Sequence, residues 1–127
     1  MFNPIINFTD LDTWKEAHKL VLLVYKLVEN FPKKETYILI SQILRAAISI
    51  TSNIAEGFSR RGKKEKLQFY SVALGSLTEL QNQIILARDI NYISINQYEE
   101  VFRQTIIVQK LIHGLIKGIK SYTSQYS

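Results

Sequence analysis

The sequence predicts an all-α protein folded as an antiparallel, up-down-up-down four-helix bundle. Apolar residues recur at helical spacing in four segments, three short breaks separate these segments, and no stretch shows the strict alternation of a half-buried strand. Short connections make consecutive helices antiparallel neighbours. The 127 residues contain two prolines and no cysteine. They therefore fit a single domain over residues 1–127 without disulfides or thiolate metal sites.

Each predicted helix has its own sequence signals. The helices are expected at about residues 10–31, 35–57, 63–91 and 95–122. The first ends at Phe31, because proline at position 32 cannot continue a helix. The second ends at Gly57, which suits a left-handed cap. The third carries its large apolar residues on one face, and Ser94 with Gln97 forms a capping box that starts the fourth.

Charge is sparse along the second and third predicted helices. The only charged residue within 36–55 is Arg45, and the only one within 67–87 is Glu79. Helices with so little charge are typically buried on more than one side, which predicts a homo-oligomer. The two charges lie level if the intervening turn is centred near residue 62. We therefore predict a buried or half-buried Arg45–Glu79 ion pair, and two ordinary exposed contacts are the alternative.

Small polar residues surround Arg45 in this predicted hairpin. They are Gln42, Ser49, Asn53 and Glu56 on the second helix, and Ser71, Gly75 and Ser76 on the third. Two interpretations are open for this stripe, an active site or a close helix contact with satisfied hydrogen bonds. Close packing is the more common use of such residues.

The strongest concentration of charge follows the second helix. Residues 60–66 hold five basic side chains and one acidic side chain, a net charge of +4 in a chain of net charge +5. From Arg103 to the end there are four bases and no acid. Both segments fall at one end of the predicted bundle, which favours an anionic partner over the alternative of a solvated turn. The candidate nucleic-acid-binding residues are Arg60, Arg61, Lys63, Lys64, Lys66, Lys117 and Lys120.

No pattern in the chain is typical of catalysis. His18 and His113 are the only histidines, and neither has a second ligand at metal-binding spacing. No enzyme activity, metal or cofactor is therefore expected, although an unrecognised site is the weakest of the open alternatives. The chain begins without the basic and apolar regions of a signal peptide, and no apolar run approaches the roughly 20 residues that span a bilayer. A cytoplasmic protein without a membrane segment is expected.

Several motifs resemble a known protein family over about residues 10–93. They are Asp10-Leu11-x-x-Trp14-x-x-Ala17, Phe31-Pro32, Glu35-x-Tyr37-x-Leu39-x-x-Gln42-x-x-Arg45-Ala46, Ser49, Asn53-Ile54-Ala55-Glu56-Gly57 and Ala73-x-Gly75-Ser76-Leu77-x-Glu79-Leu80. In combination they are similar to the four-helix-bundle proteins encoded in intervening sequences of bacterial 23S ribosomal RNA genes. Related bundles serve as accessory subunits of reverse transcriptases in diversity-generating retroelements.

The resemblance implies a left-handed bundle, a homopentamer and a role connected with nucleic acid, and it implies no catalysis. With the charge pattern, it predicts a non-enzymatic oligomer that binds RNA or DNA through the basic end of the bundle. The alternative is a scaffold subunit whose basic end docks an acidic protein surface or a nucleic-acid enzyme such as a reverse transcriptase. Neither the specific ligand nor the physiological process follows from the sequence.

Overall fold

The structure is a computed structural model that describes the backbone of residues 4–126 and the side chains of residues 4–121. Four α-helices account for most of this range. They are α1 (Asp12–Leu27), α2 (Ser41–Ser59), α3 (Lys63–Asp89) and α4 (Ile95–Tyr126). All regular structure in the described range is helical, so the predicted all-α class is confirmed.

The connection between α1 and α2 is more irregular than predicted. It consists of 3₁₀ turns at Val28–Asn30 and Lys33–Glu35 followed by a π-helical segment at Thr36–Ile40. Pro32 has no N–H to donate and separates the two 3₁₀ turns. The predicted single helix over 35–57 therefore starts with five π-helical residues, and its regular part begins at Ser41.

The predicted left-handed cap at Gly57 is wrong. No glycine in the described chain has a positive φ, and α2 continues to Ser59. Gly57 is instead a close-contact position, because an added Cβ would lie 2.6 Å from Cε1 of Tyr70. The helix stops because Arg60 adopts an extended conformation, with φ −79° and ψ 147°.

The turn between α3 and α4 is formed by a left-handed asparagine and by hydrogen bonds between nearby residues. Asn91 has φ 65°, a left-handed conformation that asparagine tolerates better than most residues. In this turn the N–H of Tyr92 donates to the carbonyl of Ala87 at 2.9 Å. The predicted capping box is confirmed, since the N–H of Gln97 donates to Ser94 Oγ at 3.1 Å and the N–H of Ser94 donates to Gln97 Oε1 at 2.8 Å.

The core lies between the four helices, and α1 contacts α2 and α4 while α3 contacts α2 and α4. Its largest side chains without appreciable exposed surface are Leu20, Val24, Ile43, Ile50, Ile54, Leu77, Leu80, Ile84, Thr105, Val108 and Ile112. The predicted stripes of α3 and α4 supply several of these residues. Helical spacing also predicts Tyr25 on the apolar stripe of α1, but this residue is 48% exposed, so that prediction is wrong.

One helical stretch of the described chain, Lys33–Ser59, is long and apolar enough to cross a membrane by length and composition alone. The expectation that no segment reaches this length counted only uninterrupted apolar runs, whereas the mean hydropathy of 1.4 includes its small polar residues. The evidence for a span is weak, because core helices pass the same test. Ile43, Ile50 and Ile54 on this stretch are fully buried against the other helices.

Candidate nucleic-acid interface

The basic end of the bundle is built where α2 ends, α3 begins and α4 runs past both. Residues 60–62 join Ser59 of α2 to Lys63 of α3. An open groove of about 420 Å³ lies between this turn and α4. It is lined by Arg61, Lys63, Lys66, Gly114, Leu115, Gly118 and Ile119. The structure thus places the basic turn beside the C-terminal half of α4, as the charge argument expected.

Lys66 is held by the end of α2. Its Nζ donates to the carbonyl of Phe58 at 2.8 Å and to that of Gly57 at 3.1 Å. These carbonyls belong to the last turn of a helix, where intrahelical donors are missing. Burial lowers the pKa of Lys66 below its ordinary value. The ammonium therefore caps α2, and its contribution to the interface is a fixed positive charge in the wall of the groove.

Arg60 also has a partner within the chain. Its Nη2 lies 3.2 Å from Glu56 Oε2, and its guanidinium carbon lies 4.9 Å from the centre of the Phe69 ring. An exposed ion pair of this kind is typically weak, so the side chain can exchange partners. Arg60 therefore lies beside the groove with part of its charge balanced by Glu56.

The other predicted cations divide into two groups. Arg61 and Lys64 are exposed in the turn and at the start of α3, and no ion pair of the described side chains includes them. Lys117 and Lys120 are exposed on α4 but do not line the groove. At 3.6 residues per turn, Lys117 lies about 60° around the helix from Gly114, and Lys120 lies about 100° from Ile119 on the opposite border of the lining residues. These two lysines therefore extend the positive surface of α4 on either side of the groove.

Sequence reasoning missed the floor of the groove. Helical spacing predicts Ile119 on the core stripe of α4, and this half-buried residue does pack against the core, but it also lines the groove beside Leu115. Gly114 and Gly118 lie one helical turn apart, and an added Cβ at either position would meet no heavy atom within 4 Å. The sequence signal that could have indicated this floor is the spacing of the two glycines close to Lys117.

The predicted ion pair between Arg45 and Glu79 is not one of the ion pairs between described side chains, and both residues are exposed. Arg45 follows fully buried Ile43 by two residues, which places it about 200° around α2 from the core. Glu79 follows buried Leu77 by the same interval. Glu79 Oε1 accepts a hydrogen bond from Gln83 at 3.1 Å. The prediction of a buried pair within one chain is therefore wrong. The two charges lie on the outer faces of α2 and α3.

The polar stripe joins α2 to α3. Ser49 Oγ and Ser76 Oγ are 2.7 Å apart, and Asn53 Nδ2 donates to Ser49 Oγ at 3.1 Å. Asn53 also donates to the carbonyl of Ser49 at 2.8 Å. These groups satisfy one another across the contact between the two helices, which favours packing over an active site.

Two further cavities lie elsewhere on the described surface. One of about 230 Å³ lies between α1 and α4 beside Leu23 and Gln97, and one of about 370 Å³ lies between Phe8 and α2. Within the described residues, no group of three His, Asp or Glu side chains is placed to hold a metal ion. The groove at the basic end differs from these two cavities because it combines an open surface with several cations.

Comparison with known proteins identifies relatives of the chain. Residues 9–114 match the family model described as 23S rRNA-intervening sequence protein. A crystal structure of a protein of unknown function from the S23 ribosomal protein family of Bacteroides thetaiotaomicron has a similar fold, with a TM-score of 0.77 and 22% sequence identity. That similarity covers 83% of this chain and 95% of the other. No protein of curated function matches the sequence.

Proposed function

This chain belongs to the family of 23S rRNA-intervening sequence proteins, and we propose that it is a non-enzymatic, oligomeric four-helix bundle that binds RNA or DNA through its basic end. The observation that carries the proposal is the placement of charge. Residues 60–66 have a net charge of +4. They border the same groove as the C-terminal half of α4, a segment without acidic residues. Such a surface attracts polyanions over distances comparable with the Debye length.

Phosphate contacts are the expected mode of binding. Arg61 and Lys64 are exposed in a turn and at a helix start, rather than along one face of a helix as in a recognition helix. The aromatic rings near the turn, Phe58 and Phe69, lie against Lys66 and Arg60. Affinity should therefore depend more on charge than on base sequence. A cytoplasmic location and the absence of any membrane segment are part of this proposal.

The helix arrangement belongs to the same proposal. Ser49 of α2 contacts Ser76 of α3, whereas Gly57, two turns further along α2, contacts Tyr70, which precedes Ser76. This pairing supports antiparallel packing of α2 and α3. We extend it to an up-down-up-down bundle, and the left hand of the bundle is what the family resemblance implies.

Homo-oligomerisation is supported by the outer faces of α2 and α3. Ile48 of α2 and Val72 and Leu86 of α3 are exposed there, as are Ile38 just before α2 and Ile90 just after α3, each to between 40% and 65%. Apolar side chains that cluster on an outer face typically mark a protein–protein interface. The pentamer is the size that the family resemblance implies.

In such an oligomer, Arg45 and Glu79 lie on the covered faces and would pair between subunits. The oligomer is tested by light scattering of the wild-type chain and of Val72→Lys, which places a charge in the proposed interface. The wild type should show a multiple of 14.7 kDa, and the variant should show smaller particles with intact helicity. Ile107→Lys on α4 is the matched control, because Ile107 is similarly exposed. A wild-type monomer would contradict the proposal.

Nucleic-acid binding is tested by titrating labelled RNA and duplex DNA at several salt concentrations. The logarithm of the wild-type affinity should fall linearly with the logarithm of the salt concentration. Arg61→Gln and Lys64→Gln should each lower the slope by roughly 0.7 to 0.9 for every phosphate that the variant no longer neutralises. Glu65→Gln, in the first turn of α3 beside Lys64, is the control and should not lower the slope. Absence of wild-type binding at low salt would contradict this function and favour a scaffold that docks an acidic protein surface.

A further inference from the structure

The groove at the basic end has two chemically different parts. Arg61, Lys63 and Lys66 form a positive side, and Leu115 with Ile119 forms an apolar floor on α4. Lys66 is fixed there by its hydrogen bonds to the end of α2, so its aliphatic chain is a wall rather than a mobile arm. An occupant that matches both parts carries negative charge at one edge and a flat or compact apolar group beside it.

The floor also permits an unusually close approach to the α4 backbone. Gly114 and Gly118 present no side chain, and the space above each is open to at least 4 Å from a built Cβ. Glycine inside a helix is less favourable than alanine, and no packing contact within the described chain requires it at these two positions. A planar group can therefore lie against the helix between Leu115 and the positive side.

We propose that this groove receives an unpaired base of a single-stranded or looped nucleic acid, with the adjoining phosphate held by Arg61 and its neighbours in the turn. The inference rests on the proposed function and gives it a substrate class. A base within a duplex is stacked and paired, so it cannot enter the groove without being flipped out. Unpaired nucleotides offer both a phosphate and an exposed base face. The site thus selects unpaired over paired nucleic acid.

An acidic partner helix fits the groove less well. Among the described side chains, which end at residue 121, the α4 residues that line it span Gly114 to Ile119, a rise of about 7.5 Å. A helix docked in a groove uses anchors over at least two turns, about 10.5 Å from the first to the eighth residue. The lined length therefore matches one nucleotide better than a helix face.

The experiment fills the groove without changing its charge. Gly114→Leu combined with Gly118→Leu adds two side chains where the backbone is now open, and His113→Leu adds the same side chain outside the lining. The probes are a labelled RNA oligonucleotide without secondary structure and the blunt duplex of the same sequence. The double variant should bind the single strand roughly tenfold more weakly and the duplex unchanged, because the leucines exclude one base from the apolar floor of the groove. His113→Leu should match the wild type on both probes.

Each outcome separates the two proposals. Equal weakening on both probes, or no weakening on the single strand, overturns the base site and leaves the phosphate-binding function standing. If the wild type binds neither probe, both proposals fall. Circular dichroism and light scattering verify the fold, and Gly114→Ala with Gly118→Ala is the milder variant if the leucines disturb it. The alanine pair should raise helix stability and still weaken single-strand binding.

Discussion

The two ends of α2 handle charge differently. Before α2, Glu35 Oε2 accepts a hydrogen bond from the Tyr92 hydroxyl at 2.7 Å. In the same region Arg88 pairs with Asp89 at 2.8 Å and lies 4.6 Å from the centre of the Tyr98 ring. After α2, Arg61 has no ion-pair partner among the described side chains, and five bases face one acid within residues 60–66. Lys33 and Lys34 at the first end also form no ion pair among the described side chains, but Glu29 and Glu35 balance them, so residues 29–35 have no net charge while residues 60–66 have a net charge of +4.

Within residues 60–66, charge counts alone do not identify which cations are left to bind an external anion. Lys66 and Arg60 contribute to the same basic cluster as Arg61, yet one caps α2 and the other pairs with Glu56. A cation without an internal partner gains most from an external anion, since nothing in the fold already satisfies it. Arg61 and Lys64, which form no ion pair among the described side chains, are therefore the strongest candidates for phosphate contacts.

The largest effect is expected where the basic turn is anchored, at Gly57. Gly57→Ala places a Cβ 2.6 Å from Cε1 of Tyr70, a ring that is 3% exposed and has little room to move. We expect a loss of about 1–3 kcal/mol in the free energy of unfolding, which exceeds the helix-propensity gain of roughly 0.5–1 kcal/mol. Urea denaturation at fixed protein concentration measures it.

Gly114→Ala is the matched control, because it makes the same change at the same end over open space. It should stabilise the protein by roughly 0.5–1 kcal/mol. Changes of opposite sign in the free energy of unfolding would confirm that Gly57 is tightly packed, whereas Gly114 faces an open groove. Stabilisation by Gly57→Ala would contradict the tight contact with Tyr70.

A smaller effect compares one tyrosine from each end at alkaline pH. Burial raises the pKa of Tyr70, whereas the hydrogen bond to Glu35 is the main cause that raises the pKa of Tyr92. Above pH 10 the folded state then holds protons that the unfolded state has released, so stability falls as pH rises. Tyr70→Phe and Tyr92→Phe should each reduce this fall in urea unfolding measured across that range.

Glu35→Gln separates the two causes. It removes the carboxylate beside Tyr92 and should lower the pKa of Tyr92 while leaving that of Tyr70 unchanged. The pH dependence of tyrosinate absorbance in each Phe variant assigns the two titrations. An equal response of both tyrosines to Glu35→Gln would break the contrast between a buried ring at one end and a paired hydroxyl at the other.

Much of the helical framework was predictable because it depends on local signals. The Ser94–Gln97 capping box follows from side-chain chemistry within a few residues, and α3 starts at Lys63, where helical spacing predicts it. The role of Gly57 depends on a contact with a distant segment. In particular, the fit of Gly57 to Tyr70 joins residues of different helices, and spacing along one helix does not contain it.

The candidate site was predictable in its charge but not in its shape. Matching residue levels along two helices suggested an Arg45–Glu79 pair, yet the position around each helix places both away from the core. The sequence alone allowed this check of angular position, since Arg45 and Glu79 each follow a core residue by two positions. The capping role of Lys66 required the fold, because its carbonyl partners lie eight and nine residues away on α2.

The most direct test of nucleic-acid binding at the basic end compares two variants with equal net charge. Arg61, Lys63 and Lys64 are changed to Gln at the basic end, and Lys26, Lys33 and Lys34 are changed to Gln towards the other end, which lowers the net charge from +5 to +2 in each (5 − 3 = 2). Affinity for one labelled RNA is measured at one salt concentration. We expect at least about tenfold weaker binding for the first variant and near wild-type binding for the second. Equal weakening would show that net charge determines binding, and would contradict a binding site at the basic end.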